Sequence, residues 1–407
     1  MKRFFKNIGP GTLVAAAFIG PGTVTVCSIA GVTYGFTLLW AMVLSIVATI
    51  VLQEMAARLG IVHNRGLAAT VKAEIEKPFI RNLAIGLILA AILIGNAAYE
   101  AGNISGGVLG LETIFQDSGA KIAGIEMNML SLIIGAIAFL VLYLGNYKVI
   151  EKFLISLVLL MSISFLITAV LTKPQISEVL KGMFIPKFPE ESWLTIIALV
   201  GTTVVPYNLF LHASLVKEKW KDSTHLKAAR IDTYISILLG GIVSLAIIIC
   251  AAAVRTSEVN NAADLAMALE PLYGEYATYL LSIGLFAAGI TSAITAPLAA
   301  AYVARDCFGW QGDLKSVKFR GVWMVILALG VVFSSIGFKP IEIIRFAQVA
   351  NGLLLPIIAG FLLWVVNRTN VLGGYRNNWL QNLLGILILI TTIVLGSMSL
   401  VKVYQSL

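Results

Sequence analysis

The sequence predicts an all-α polytopic membrane protein built from two inverted repeats of five helices plus an eleventh helix. Three observations carry this expectation. First, the 407 residues are 59% hydrophobic and only 12% charged, with a mean hydropathy of +0.93; no water-soluble domain of this size has that composition. Second, apolar stretches long enough to cross a bilayer recur along the whole chain. Third, two of these stretches, about 180 residues apart, are interrupted near their centres. Matching interrupted spans in two halves point to a secondary transporter with its binding site at mid-membrane depth.

The first interrupted span is GPGTLVAAAFIGPGTVTVCSIAGVTYGF, residues 9–36. Gly20-Pro21-Gly22-Thr23 breaks it, because proline lacks an N–H and glycine is a poor helix former. Freed backbone groups in hydrocarbon are tolerated only where protein or a ligand satisfies them. The carbonyls of Ala17, Phe18 and Ile19 are expected to end one half-helix, and the amides after Pro21 to begin another, with opposite partial charges. A plain proline kink is the competing reading of this span alone. The second is SWLTIIALVGTTVVPYNLFLHASLV, residues 192–216, broken by Gly201-Thr202-Thr203 and Pro206.

In order, spans are expected at 9–35, 38–59, 80–107, 128–145, 151–171, 193–216, 231–254, 275–304, 321–337, 341–366 and 380–402. The first five (1–172) and the next five (173–366) form the two repeats of a single transmembrane domain, and 367–407 adds the last helix. Connections on the N-terminal side carry 21 Lys and Arg against 7 on the other, which places the N-terminus in the cytoplasm; the protein is expected in the plasma (inner) membrane. That alternation also explains the net charge of +8 without nucleic acid. MKRFFKN followed by Ala15-Ala16-Ala17 has the shape of a signal peptide, but is expected to be retained as part of the first span. The segments 173–191 and 260–276 read as ordered outer connections with short lateral helices. Cys27, Cys250 and Cys307 lie in or beside apolar spans and read as free, small hydrophobes.

Five stretches then resemble one family. They are GPG at 20–22, LQEMAARLGIVHNRGLA at 52–68, VPYNLFLHASLV at 205–216, LFAAGITSAITAP at 285–297 and AQVANGLLLP at 347–356. Together, and in this order, they resemble the Nramp-type metal transporters. The resemblance implies the LeuT-type inverted-repeat fold, substrate bound between the broken helices, and coupling to protons. It also implies backbone oxygens at Ala17 and Thr202, and side chains at Asn208, Gln348 and His212, as parts of the site and its proton route.

The sequence departs from the family in the site itself. The helix-1 motif Asp-Pro-Gly-Asn is Gly20-Pro21-Gly22-Thr23 here. The helix-6 motif Met-Pro-His-Asn is Val205-Pro206-Tyr207-Asn208. An Asp three residues before a Glu on helix 3 is replaced by Ala97, leaving Glu100. Soft or borderline metals favour soft ligands such as a Met thioether, a carboxylate supplies charge, and hard cations usually take carboxylates and keep water. A doubly charged ion at the midplane without a nearby anion is strongly disfavoured. The transition-metal site is therefore read as lost, and no metal ligand set is assigned.

Metal cation transport remains the family-level expectation. The alternative is a proton-coupled carrier of a small zwitterionic or organic solute such as an amino acid, because Gly20 and Gly22 let a ligand reach the start of the second half-helix. A non-transporting receptor or scaffold is a further alternative. No nucleophile–base pair, phosphate loop or cofactor motif points to an enzyme or to a cofactor. Substrate contacts are expected from Ala17, Gly20, Gly22, Thr23, Thr202, Val205, Tyr207, Asn208, Gln348 and Asn351.

Glu100 lies within an apolar span, where acids are rare and usually functional. It is expected on the proton pathway, with a structural hydrogen bond as the alternative. His212 reads equally as a proton relay or a packing residue. Glu54 is expected to pair with Arg58 one helical turn on, and Glu342 with Arg345. Asp232 is expected to stabilise the start of the seventh span.

Overall fold

The broken first span comes into view at its break. The computed structural model describes residues 19–406 apart from 116–118, 123, 124, 146, 147, 221, 255–258 and 311–314, so Ala17 and the first half-helix lie outside the described residues. The second half-helix is α1, Pro21–Tyr34. Then follow α2 (Leu39–Val62), the short α3 (Leu67–Glu74), α4 (Pro78–Leu111), α5 (Met129–Leu144) and α6 (Lys148–Leu171). After the short α7 (Ile176–Phe184), the second broken span gives α8 (Trp193–Thr203) and α9 (Pro206–Lys219). The chain continues with α10 (Leu226–Ala252), α11 (Ala262–Ala266), α12 (Ala277–Phe308), α13 (Val317–Ser335), α14 (Pro340–Val366) and α15 (Trp379–Ser406). Among the described residues nine helical segments are long and apolar enough to cross a membrane, and α5 is a shorter apolar helix.

Several of the main helix contacts recur when spans 1–5 are exchanged with spans 6–10. The α1–α10 contact has its counterpart in α9–α2, α4–α14 in α12–α6, and α4–α13 in α12–α5. The contacts α2–α10, α4–α12 and α5–α13 map onto themselves. The α4–α12 contact, at the centre, is made close by small residues. A Cβ on Gly289 would lie 2.6 Å from the Gly107 N, and one on Gly110 would lie 2.4 Å from the Ser282 O. Backbones that touch this closely tolerate no side chain between them.

Three findings differ from what the sequence led us to expect. The connection between α4 and α5 contains a two-stranded antiparallel hairpin, β1 (Gly119–Ile122) and β2 (Ile125–Asn128), with Gly119 opposite Asn128. A four-residue strand is too short for its period to stand out beside long apolar spans. Asp232 does not sit at a helix start, because α10 begins at Leu226 and places Asp232 well inside it, in a buried position. The expected i, i+3 pair of Glu342 and Arg345 is also absent from the ion pairs among the described residues; both side chains are exposed.

The connections 173–191 and 260–276 each contain short helices, as expected: α7 in the first, and in the second α11, opened by a capping box in which Asn261 and Asp264 bond each other's backbone. Their hydrogen bonds satisfy the orphan amides of a helix start.

Candidate substrate site at the two helix breaks

Thr203 ends α8, and Val204 and Val205 are non-helical before Pro206 starts α9. Gly20 caps α1 with extended backbone and no side-chain cap. Thr23 N bonds the Gly20 O at 3.1 Å, and Pro21 has no N–H. Among the described residues no acceptor is bonded to the Gly22 N–H. An aspartate at position 20 would bring a carboxylate to this helix start; glycine leaves it open.

The two breaks are tied by one hydroxyl pair, Thr23 Oγ1 to Thr202 Oγ1 at 2.8 Å, buried. The third element is α14. Its Gln348 side chain lies directly on Gly22: a Cβ there would meet Gln348 Nε2 at 2.2 Å and Cδ at 2.6 Å. The Gln348 backbone O would lie 1.9 Å from a Cβ on Gly201. So Gly22, Thr23, Gly201, Thr202 and Gln348 form one cluster, as the sequence expected for four of them. Pro21 is seated against α4, where a Cβ on Gly106 would lie 2.0 Å from Pro21 Cβ. The α8 side is braced by Thr203, which bonds the Leu199 O at 3.0 Å and the Ser45 hydroxyl of α2.

Gly201 thus permits a backbone-to-backbone contact that a methyl group prevents. Gly201→Ala is expected to destabilise the protein by about 1–3 kcal/mol, the usual cost of overpacking, or to prevent folding. Thermal unfolding of the purified variant checks this; an unchanged midpoint would contradict the contact.

Asn208 lies in the first turn of α9, buried, with both side-chain amide atoms lacking a partner. Gln348 Oε1 and Asn351 Nδ2, one turn apart on α14, are likewise buried without partners. An unsatisfied buried polar group costs about 1–3 kcal/mol, so several in one region point to a ligand or to bound water. Val205 is fully buried and contributes only an apolar wall. Tyr207, also buried, packs its ring on Tyr99 of α4 at 5.3 Å with a 59° tilt.

Glu100 and His212 are not brought together. Glu100 is fully buried on α4; Asn103 Nδ2 donates to its Oε2 at 3.3 Å, while Oε1 has no partner. Its side chain is packed on Gly330 of α13, where a Cβ would meet Glu100 Cγ at 2.3 Å. His212 contacts other helices. Its Nδ1 is 2.8 Å from Gln53 Oε1 on α2, and its Nε2 is 3.5 Å from Thr233 Oγ1 on α10. Gln53, Asn103, Tyr99 and Ser45 escaped the sequence reading. Gln53 stood within a recognised motif, and only its partner across the bundle gives it a role.

The nearby ion pair has larger scope than expected. Glu54 Oε2 pairs with Arg58 at 3.1 Å, and its Oε1 pairs with Arg230 of α10 at 2.7 Å. Among the described residues no three His, Cys, Asp or Glu side chains converge as a metal-binding group. Cys27, Cys250 and Cys307 are buried and free.

Comparison with known proteins agrees with this architecture. A family model described as natural resistance-associated macrophage protein-like matches residues 11–402. The divalent metal cation transporter MntH of Bradyrhizobium diazoefficiens is 30% identical over 398 residues, covering 92% of this chain and 84% of that protein. The MntH of Caldanaerobacter subterraneus is 25% identical, covering 98% and 93%. Among solved structures, the Eremococcus coleocola manganese transporter superposes with a TM-score of 0.76 at 21% identity, covering 97% of this chain and 87% of that one. Mhp1, a nucleobase-cation-symport-1 transporter, does so at 0.57 and 16%, covering 98% and 93%. These likenesses give the LeuT-type inverted-repeat fold of an integral membrane protein. The chain belongs to the Nramp family of divalent metal cation transporters.

Proposed function

We propose that this protein is a proton-linked secondary active transporter whose substrate site has lost its selectivity for manganese and iron. The carrying observation is chemical. The residues gathered at the two breaks offer only hydroxyls, neutral amides and backbone oxygens, with Val205 where a thioether is expected and Gly20 where a carboxylate is. Metal cation transport stays the family-level reading, since the relatives are divalent metal cation transporters. Such a site suits a weakly held, still hydrated cation, not a transition metal. Substrate contacts are assigned to Gly20, Gly22, Thr23, Thr202, Val205, Tyr207, Asn208, Gln348 and Asn351, with Ala17 supplying a carbonyl.

A second reading is favoured by one arrangement, the unpartnered amides of Asn208, Gln348 and Asn351 beside an uncapped helix start. A helix N-terminus receives a carboxylate, and amide and carbonyl oxygens receive an ammonium group. That is the pattern for a small zwitterion such as an amino acid.

The two repeats are assigned to 1–172 and 173–366, which the paired helix contacts support. The charge alternation supports a cytoplasmic N-terminus, and the plasma (inner) membrane is the assigned location. Protons are assigned to Glu100, with His212 as relay.

The test is internal pH in proteoliposomes offered magnesium, calcium or amino acids one at a time. At least one is expected to drive saturable acidification. Glu100→Gln, which keeps the shape and the Asn103 contact, is expected to remove acidification at least about tenfold, roughly 1.4 kcal/mol. Acidification unchanged in that variant would sink the proton assignment. Acidification by an amino acid without metal would select the second reading.

A further inference from the structure

We infer that a groove between α4, α14 and α15 is a binding site for a phosphatidylethanolamine-type lipid. The groove has a volume of about 910 Å³ and opens on the outside of the bundle, at the end where the connections are rich in Lys and Arg. Its wall is apolar, from Leu83 and Leu87 on α4, Phe361 on α14, and Leu389 and Ile393 on α15. Its depth comes from Gly360 on α14, where a Cβ would meet nothing within 4 Å. A hydrocarbon-facing helix surface has no need of such a hollow, and an acyl chain is the natural filler.

The mouth has a different character. Glu74, Glu76, Lys77 and Arg368 line it. Arg368 Nε pairs with Glu74 Oε2 at 3.2 Å and stacks its guanidinium over the Trp364 ring at 5.7 Å. This leaves Glu76 and Lys77, both exposed and forming no ion pair among the described residues. One free anion and one free cation therefore stand side by side at the open end of an apolar groove. A headgroup carrying both a phosphate and an ammonium that donates hydrogen bonds matches them. Lys77 meets the phosphate beside the start of α4, and Glu76 accepts from the ammonium. Phosphatidylglycerol lacks the ammonium, and the choline headgroup has no N–H to donate. Trp364, with an apolar body and a polar edge, sits where such rings settle at the membrane interface.

The test uses the purified full chain in detergent, with thermal unfolding followed after adding phosphatidylethanolamine, phosphatidylcholine or phosphatidylglycerol of identical acyl chains. A lipid bound only by the folded state raises the midpoint. Phosphatidylethanolamine is expected to raise it by several degrees and more than either other lipid. Gly360→Leu, whose Cβ would meet nothing within 4 Å, is expected to keep the lipid-free midpoint and lose that excess. Glu76→Lys is expected to move the preference to phosphatidylglycerol while the protein stays folded. Equal shifts for the three lipids, a wild-type preference for phosphatidylglycerol, or a Glu76→Lys variant with wild-type preference would each overturn the assignment. The result does not depend on what the protein transports.

Discussion

Replacing Gly22 by leucine is expected to abolish transport and leave the protein folded. The reason lies in what surrounds that residue. A side chain at Gly22 first meets the amide end of Gln348, at 2.2 Å for Nε2, and that end swings on flexible torsions. Gly201 differs, because its neighbours are the backbone O of Gln348 and the backbone N of Gly352, which cannot move alone. Gly22→Leu therefore displaces Gln348 and fills the space before the Gly22 amide, while the helix contacts hold. Loss of uptake by at least about tenfold, roughly 1.4 kcal/mol, is expected for whichever solute drives acidification in the wild-type protein. An unchanged elution profile and thermal midpoint should accompany it. Uptake at the wild-type rate would remove the cluster from the substrate path. It would favour a receptor or scaffold that kept the fold without the transport.

Arg58→Met is expected to destabilise the protein by about 3–5 kcal/mol, the cost of breaking a buried ion pair from one side. Arg58 is 1% exposed. It donates to the Tyr375 O at 2.6 Å, to Asn377 Oδ1 at 2.6 Å and to Glu54 Oε2 at 3.1 Å. Asn377 donates on to Asn382 of α15, which also accepts from Asn367 at the end of α14. One guanidinium thus joins α2 to the connection between α14 and α15, and through Glu54 to Arg230 of α10. Methionine replaces much of the volume but leaves a buried carboxylate, an amide and a carbonyl short of a donor. The fall in thermal midpoint measures this, and a change of only a degree or so would mean that water or Arg230 replaces the contact. The double variant Glu54→Gln with Arg58→Met is expected to recover part of the loss, since the buried carboxylate, held then by Arg230 alone, is gone.

The helices and the two breaks were legible because each is written locally. A proline flanked by glycines interrupts a helix wherever it stands, and apolar spans of bilayer length are visible without any knowledge of neighbours. Gln348 was legible from its place in the stretch AQVANGLLLP, residues 347–356. The Glu54–Arg58 contact was legible at i, i+4, but the partners that give Arg58 its weight lie more than 300 residues away, with Tyr375 at a separation of 317. Likewise nothing local says that Gln53 faces His212, at a separation of 159, or that Glu100 leans on Gly330 and away from His212. Asp232 misled because its span was judged by hydropathy, and α10 extends a turn and a half further into the polar segment. Local chemistry named the site; which polar residues meet inside it was set by packing between the two repeats.

The proposed loss of the transition-metal site is tested most directly by manganese uptake into proteoliposomes holding the purified, folded protein, with internal pH recorded alongside. The wild-type protein is expected to give no saturable manganese entry above empty liposomes. The variant carrying Gly20→Asp, Thr23→Asn and Val205→Met regains a carboxylate, an amide and a thioether at the breaks, and is expected to admit manganese. Saturable, acidifying manganese entry by the wild-type protein would contradict the account. Glu100, Thr23 and the backbone oxygens would then suffice for the metal that the relatives carry.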